Sequence, residues 1–223
     1  MLKAVIFDLD GVIVSTDIYH YEAWKALTDR KGLEFNFEIN DRLRGISRAE
    51  SLQIILDVNQ KTIGQREFNR IAGAKNRRYR RLLGKLKPED MLPGVKDLIA
   101  DLRQSGIKTA VGSSSRNTPK ILKRLKLTKA FDAVVDGNAG LKSKPDPAIF
   151  LACAVALGEA PESCLVIEDA EAGIAAAKAA GMTALGVGKT PLSSADRMLA
   201  SLLGENAAKL AAIHDAAKRT AKG

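Results

Sequence analysis

The chain has 223 residues, 46% of them hydrophobic, enough for one large domain or for a core carrying an insertion; this excludes disorder over most of its length. No apolar run approaches the roughly 20 residues of a membrane span, and Met1-Leu2-Lys3 runs straight into a strand pattern instead of a signal peptide, so a soluble, cytoplasmic protein is expected. A net charge of +9 favours anionic partners, phosphorylated metabolites as readily as nucleic acid, while Cys153 and Cys164 are too few and too unaccompanied for a metal knuckle or a disulfide framework.

The apolar run Ala4-Val5-Ile6-Phe7 predicts a buried strand, followed at once by Asp8-Leu9-Asp10-Gly11-Val12. Side chains alternate along a strand, so Asp8 and Asp10 are expected on one face, with Gly11 permitting a tight turn beyond them. Two carboxylates about 4 Å apart repel by on the order of 4 kcal/mol at an effective dielectric of about 20, so such a pair needs a shared proton or a cation, magnesium being the natural one. An attacking carboxylate beside one that handles protons fits this spacing. A helix N-cap or an Asx turn fits it too.

From about residue 15 to residue 87 no strand is evident and amphipathic helices dominate, the pattern of a helical insertion. The first helix runs from Thr16 or Asp17 toward Gly32; the second opens on Ser47-Arg48-Ala49-Glu50, the spacing of a capping box, with Leu52, Ile55 and Leu56 as its buried stripe. A further helix carries Phe68, Ile71, Ala72, Tyr79 and Leu82 on one face. Lys75 falls on that face as well, either snorkelling to its edge or aiming its ammonium into a cleft. The run Arg77-Arg78-Tyr79-Arg80-Arg81 reads as a solvated helix face, because no helix-turn-helix, zinc-finger or RNA-binding aromatic signature accompanies it.

After residue 90 helices and strands alternate in short units, which predicts an α/β core with a parallel sheet covered on both faces. Pro93 is placed in the first turn of a helix with the stripe Leu98, Ile99 and Leu102, stopped by Gly106 before a strand from Lys108 to Val111. Asn117 or Thr118 caps the next helix, with Pro119 at its start, and Ala133-Val134-Val135 follows as a strand. A helix from Asp146-Pro147 to Gly158, a strand from Cys164 to Ile167, a helix from Ala170 to Ala180 and a strand from Thr183 to Val187 complete the pattern. The last twenty or so residues are Ala/Lys-rich without a strong apolar stripe and are expected to pack weakly or fray.

The polar side chains collect at the carboxyl ends of these strands, where open α/β sheets bind ligands. Asp8 and Asp10 leave the first strand; Gly112-Ser113-Ser114-Ser115-Arg116-Asn117 follows the second, with hydroxyls and amides able to grip phosphate before a helix N-terminus. Lys144 in Ser143-Lys144-Pro145 offers a fixed cation for a transferring phosphoryl group, and Glu168-Asp169 adds acidic oxygens of the kind Mg²⁺ selects. Singly, each fits a loop or a helix cap. Together, in this order and each at a strand end, they are not a coincidence of turns.

This arrangement resembles the haloacid dehalogenase superfamily, and within it the β-phosphoglucomutase subgroup. Phe7-Asp8-Leu9-Asp10-Gly11-Val12, Tyr19-His20, Ala23-Trp24-Lys25-Ala26-Leu27, Gly45-Ile46-Ser47-Arg48 and Ser143-Lys144-Pro145 look like that subgroup's segments, and the resemblance covers about residues 1–190. It implies a doubly wound, Rossmann-like parallel-sheet core, residues 1–15 and 88–223, with an inserted α-helical cap, residues 16–87, that closes over the strand ends. It further implies that Asp8 is a nucleophile forming an aspartyl-phosphate and that Asp10 is the general acid and base, its pKa raised above a reference near 3.9. Mg²⁺ would be held by Asp8, the Asp10 main-chain carbonyl, Asp169 and Glu168, while Ser113 and Lys144 bind the transferring phosphoryl group. Substrate contacts are implied for Thr16, His20, Trp24, Gly45, Ile46, Ser47, Arg48, Ser51 and Lys75 of the cap, and for Ser114, Ser115, Arg116 and Asn117 of the core; Arg48, Ser115, Arg116 and Asn117 would hold the distal phosphate.

The implied activity is interconversion of β-D-glucose 1-phosphate and glucose 6-phosphate through glucose 1,6-bisphosphate, by a monomer whose partner is a phosphorylated sugar, with no specific nucleic acid and no membrane. A Mg²⁺-dependent sugar-phosphate or phosphoglycolate phosphatase is the alternative within the superfamily; a non-catalytic nucleic-acid or regulatory binding protein is the alternative outside it. Two positions depart from the subgroup's pattern: Ser15 stands where an aspartate commonly precedes Thr16, and Arg44 where a lysine is frequent before Gly45.

Overall fold

Strand β1 (Ala4–Phe7) is apolar at every position because it lies between two parallel neighbours and is covered on both faces. The computed structural model describes residues 1–220. It adds β2 (Lys108–Gly112), β3 (Ala133–Val135), β4 (Cys164–Glu168), β5 (Thr183–Val187) and β6 (Arg197–Leu199), giving an all-parallel sheet of order β3-β2-β1-β4-β5-β6. The chain winds outward from β1 to β3, then crosses back to β4 and winds the other way. The crevice therefore opens between β1 and β4, where Phe7 is in register with both Val111 and Ile167 and the next residues emerge side by side.

Alternation along β1 feeds two cores. Val5 and Phe7 pack with helices α5 (Val95–Gln104), α6 (Thr118–Arg124) and α9 (Ala207–Thr220); Ala4 and Ile6 pack with α7 (Ala148–Leu157) and α8 (Glu171–Ala179). The intervening helices, α1 (Asp17–Lys31), α2 (Phe37–Asp41), α3 (Arg48–Val58) and α4 (Gln65–Leu82), enclose an apolar cluster of their own around Trp24, Phe35, Ile39, Leu52, Ile55 and Ile71. The Ser47–Glu50 capping box forms as read, whereas the five-residue α2, capped by Asn36, was not evident from the sequence. An antiparallel bridge between Val14 and Met91 ties the chain leaving this layer to the chain entering it, and Tyr79 and Leu82 at the end of α4 pack into the sheet's own core. Among the described residues no helix is long and apolar enough to cross a membrane.

Three expectations are corrected. The C-terminal tail does not fray over its described part: β6 pairs with β5, and Ala207, Leu210 and His214 are buried at helical spacing. Its stripe is built of alanine, leucine and histidine, so hydropathy hides it; residues 221–223 lie outside the described residues. Pro93 precedes the helix it was placed in, because Gly94 takes φ +83° and a Cβ there would meet the Leu202 carbonyl. Asn117 occupies the N-cap position of α6 but does not cap with its side chain, which reaches instead to Asn76 of α4.

Candidate active site

A cavity of about 770 Å³ lies between the carboxyl ends of the strands and the helical layer. At its floor Lys144 Nζ sits 2.5 Å from Asp8 Oδ1 and 2.5 Å from Glu168 Oε1, all three side chains enclosed. Glu168 Oε2 accepts from the backbone N–H groups of Asp169 and Ala170, so this carboxylate also closes the entry to α8. Two glycines make room: a Cβ on Gly11, which has φ +78°, would overlap the Asp169 carboxylate, and one on Gly173 would overlap that of Glu168.

Carboxylate oxygens of Asp8, Glu168 and Asp169 lie within 4.8 Å of one another. Burial, partly offset by Lys144 and reinforced by Glu168, pushes Asp8 up to about 7; burial together with Glu168 and Asp8 pushes Asp169 up to about 8. Lys144, for its part, is held above its ordinary value because its two carboxylates outweigh burial. One ammonium among three crowded carboxylates leaves negative charge in excess, and an all-oxygen donor set of this kind suits a hard divalent cation.

Asp10 departs from the expected carboxylate pair. Its side chain turns from the acidic cluster toward the helical layer, where Oδ1 accepts from Thr16 N at 2.9 Å and from Thr16 Oγ1 at 2.5 Å, and Oδ2 faces His20 Nε2 at 3.6 Å. Burial pushes Asp10 up, but His20 and the Thr16 donors outweigh it and hold the carboxyl below its ordinary value, opposite to the expected direction. His20 is itself held low by burial first and Lys75 second, so it is the neutral ring whose Nδ1 accepts from Lys75 Nζ at 2.7 Å. That contact assigns the proton to Nε2, on the Asp10 side.

The opposite wall is cationic. Lys75, 2% exposed, lies over the rings of Trp24 and Tyr79, and burial, aided by Arg48, brings it down to about 7. Arg48 is lowered likewise by burial and by Arg116, and among the described residues none of these three pairs with a carboxylate. Snorkelling is therefore not what Lys75 does; its ammonium faces the cavity with His20. Two neutral bonds cross between wall and floor, Ser114 Oγ to Gly45 O at 3.0 Å and Asn117 Nδ2 to Asn76 Oδ1 at 2.9 Å.

Of the residues singled out from the sequence, Asp8, Asp10, His20, Trp24, Gly45, Ile46, Ser47, Arg48, Lys75, Ser113, Ser114, Ser115, Arg116, Asn117 and Asp169 line this cavity. Lys144 and Glu168 lie just behind its surface, holding Asp8 and the start of α8. Thr16 and Ser51 are not at the surface: Thr16 is wholly buried as a donor to Asp10, and Ser51 Oγ donates one turn back to the Ser47 carbonyl. In this structure the two hydroxyls support Asp10 and the first turn of α3. Arg44, singled out from the sequence only as a departure from the subgroup's pattern, bonds Asp17 and approaches Asp41 and Asp169 at 3.7 Å each; sequence reasoning missed Asn76. Asn76 follows Lys75 directly, so the signal was there once that lysine faced a cleft. Ser15 is exposed.

A family model described as haloacid dehalogenase-like hydrolase matches residues 2–181. The chain belongs to the haloacid dehalogenase-like hydrolases. Within them it is 48% identical over 198 residues to the beta-phosphoglucomutase of Bacillus subtilis (strain 168), spanning 87% of this chain and 88% of that protein. It is 31% identical over 183 residues to a phosphorylated carbohydrates phosphatase of Thermotoga maritima, spanning 81% and 82%. The crystal structure of a beta-phosphoglucomutase from Clostridium difficile superposes with a TM-score of 0.93 at 36% identity, covering 97% of this chain and 98% of that one.

Proposed function

We propose that the chain is an isomerase of this family, a β-phosphoglucomutase, interconverting β-D-glucose 1-phosphate and glucose 6-phosphate through a bisphosphorylated sugar. The observation that supports this most directly is one cavity that holds a nucleophilic carboxylate on its floor together with three cations that have no carboxylate partner among the described residues, Arg48 and Lys75 on the opposite wall and Arg116 on the loop between β2 and α6. A sugar bearing phosphate at both ends fits that polarity. One end meets Asp8 while the other is gripped remotely, and remote binding energy aligns a hydroxyl in place of water.

Asp8 Oδ attacks phosphorus, the bond from phosphorus to the leaving sugar oxygen breaks, and that oxygen takes a proton from Asp10; in the second half Asp10 removes the proton of the hydroxyl that recaptures the phosphoryl group. The acid role needs Asp10 protonated, and like charge on bound phosphate raises its pKa in the required direction. Ser113 and Lys144 hold phosphoryl oxygens. Mg²⁺ would be held by Asp8, Glu168, Asp169 and the Asp10 carbonyl, and when bound it neutralises charge on the transferring group. Residues 16–87 would act as a cap, its closure excluding water.

The test is incubation of the purified protein with β-glucose 1-phosphate, Mg²⁺ and a trace of the bisphosphate: glucose 6-phosphate is expected, and release of inorganic phosphate without isomerisation would reject the mutase in favour of a phosphatase, the activity carried by the Thermotoga maritima relative. Arg48→Ala is expected to lower sugar-phosphate turnover about 100-fold while lowering attack on acetyl phosphate far less. Equal losses would contradict a distal-phosphate role for Arg48.

A further inference from the structure

Tyr79 touches every member of the acid–base chain except Asp10 itself. Its hydroxyl is 2.7 Å from Thr16 Oγ1, its ring centroid is 4.1 Å from that of His20, and Lys75 Nζ lies 4.5 Å above it. With 1% of its surface exposed, it is among the largest wholly buried side chains; the sequence offers it both as part of an apolar stripe and as the aromatic within a basic run, and burial decides for the stripe. A buried phenol needs a partner, and here that partner is a threonine already engaged with a carboxyl group.

The direction of the chain follows from proton counting. Asp10 Oδ1 accepts the Thr16 backbone N–H and also the single proton of the Thr16 hydroxyl, 2.5 Å away. The Thr16 oxygen then has only lone pairs to offer, which Tyr79 fills by donating. Without the phenol proton the Thr16 hydroxyl is free to turn round. Burial also raises Tyr79 well above an ordinary phenol, so it stays a donor throughout the working range.

We propose that Tyr79 is a positioning residue for the acid–base step: by donating to Thr16 it fixes Thr16 as a donor to Oδ1 and leaves Oδ2, on the His20 side, as the oxygen that exchanges protons with substrate. This rests on the reading of Asp10 as general acid and base, which mutase and phosphatase share. It also gives α4 a direct hold on that group, since Lys75 and Tyr79 are one turn apart on the same helix.

The experiment is Tyr79→Phe, which keeps the ring and removes one hydroxyl. We expect kcat for the sugar phosphate to fall about tenfold with KM within about twofold, and to fall several times more than the rate of Asp8 phosphorylation by acetyl phosphate, whose leaving group needs no proton. Thr16→Val, made alone and together with Y79F, gives the second arm: the double variant is expected to lose no more kcat than T16V alone, because both cut one chain. Additive losses, an unchanged kcat in Y79F, or a change confined to KM would overturn the proposal. If the wild-type protein releases phosphate without isomerising sugar, the mutase reading fails while the same comparison, run on phosphate release, still decides the role of Tyr79.

Discussion

Lys144 and Lys75 are almost equally enclosed, 1% and 2% exposed, yet their surroundings are opposites. Lys144 is clasped by two carboxylates that keep it charged at every working pH. Lys75 has a neutral imidazole and two aromatic faces, and Arg48 repels it, so its charge is marginal near neutrality. Burial alone does not define a lysine's role. The floor carries its counter-charge permanently, whereas Lys75 and Arg48 have none among the described residues.

The sharpest way to break this contrast is at Lys144. Lys144→Ala leaves Asp8 and Glu168 buried without their shared cation, and is expected to reduce turnover about 10³-fold and stability by roughly 3–5 kcal/mol in chelator, read by initial rates and denaturant unfolding. Unchanged stability would show that these carboxylates do not depend on it. Lys75→Met should move stability the other way. A lysine lowered to about 7 makes the unfolded chain bind more protons between that pH and 10.5, so native stability rises with pH across this window and the penalty is complete below it. Removing the group is expected to raise the unfolding midpoint at pH 7 by about 5 °C while KM for sugar phosphate rises about 30-fold. A lower midpoint would reverse our reading of this wall. The smallest effect is the most specific one: at pH 8 the bound anion should recharge Lys75, with uptake of about one proton that vanishes in K75M, seen as a calorimetric enthalpy that depends on the buffer.

The floor was legible because Asp8, Ser113 and Glu168 stand at the ends of β1, β2 and β4, which are recognisable from apolar runs, and Lys144, in the loop before α7, falls in order between them. The direction of the Asp10 side chain was not, since strand alternation stops at Phe7 and Gly11 lets the chain turn. Alternation predicted a pair with Asp8; Thr16 and His20, brought near by the start of α1, took Asp10 instead. Tyr79 marks the limit of stripe reading, which sees that a face is buried but not what a hydroxyl on it bonds. The C-terminal elements escaped for the converse reason: Ala207 and His214 are core residues that hydropathy does not score as core.

Trp24 is the chain's one tryptophan, and it is sealed in the helical layer with the Lys75 ammonium 5.1 Å from its ring centre. An indole's emission responds to a positive charge held against its face, so intrinsic fluorescence becomes a label-free gauge of a single protonation event at the far end of the cavity. Ordinary spectroscopy on unmodified protein can therefore follow, during turnover, when that wall is charged.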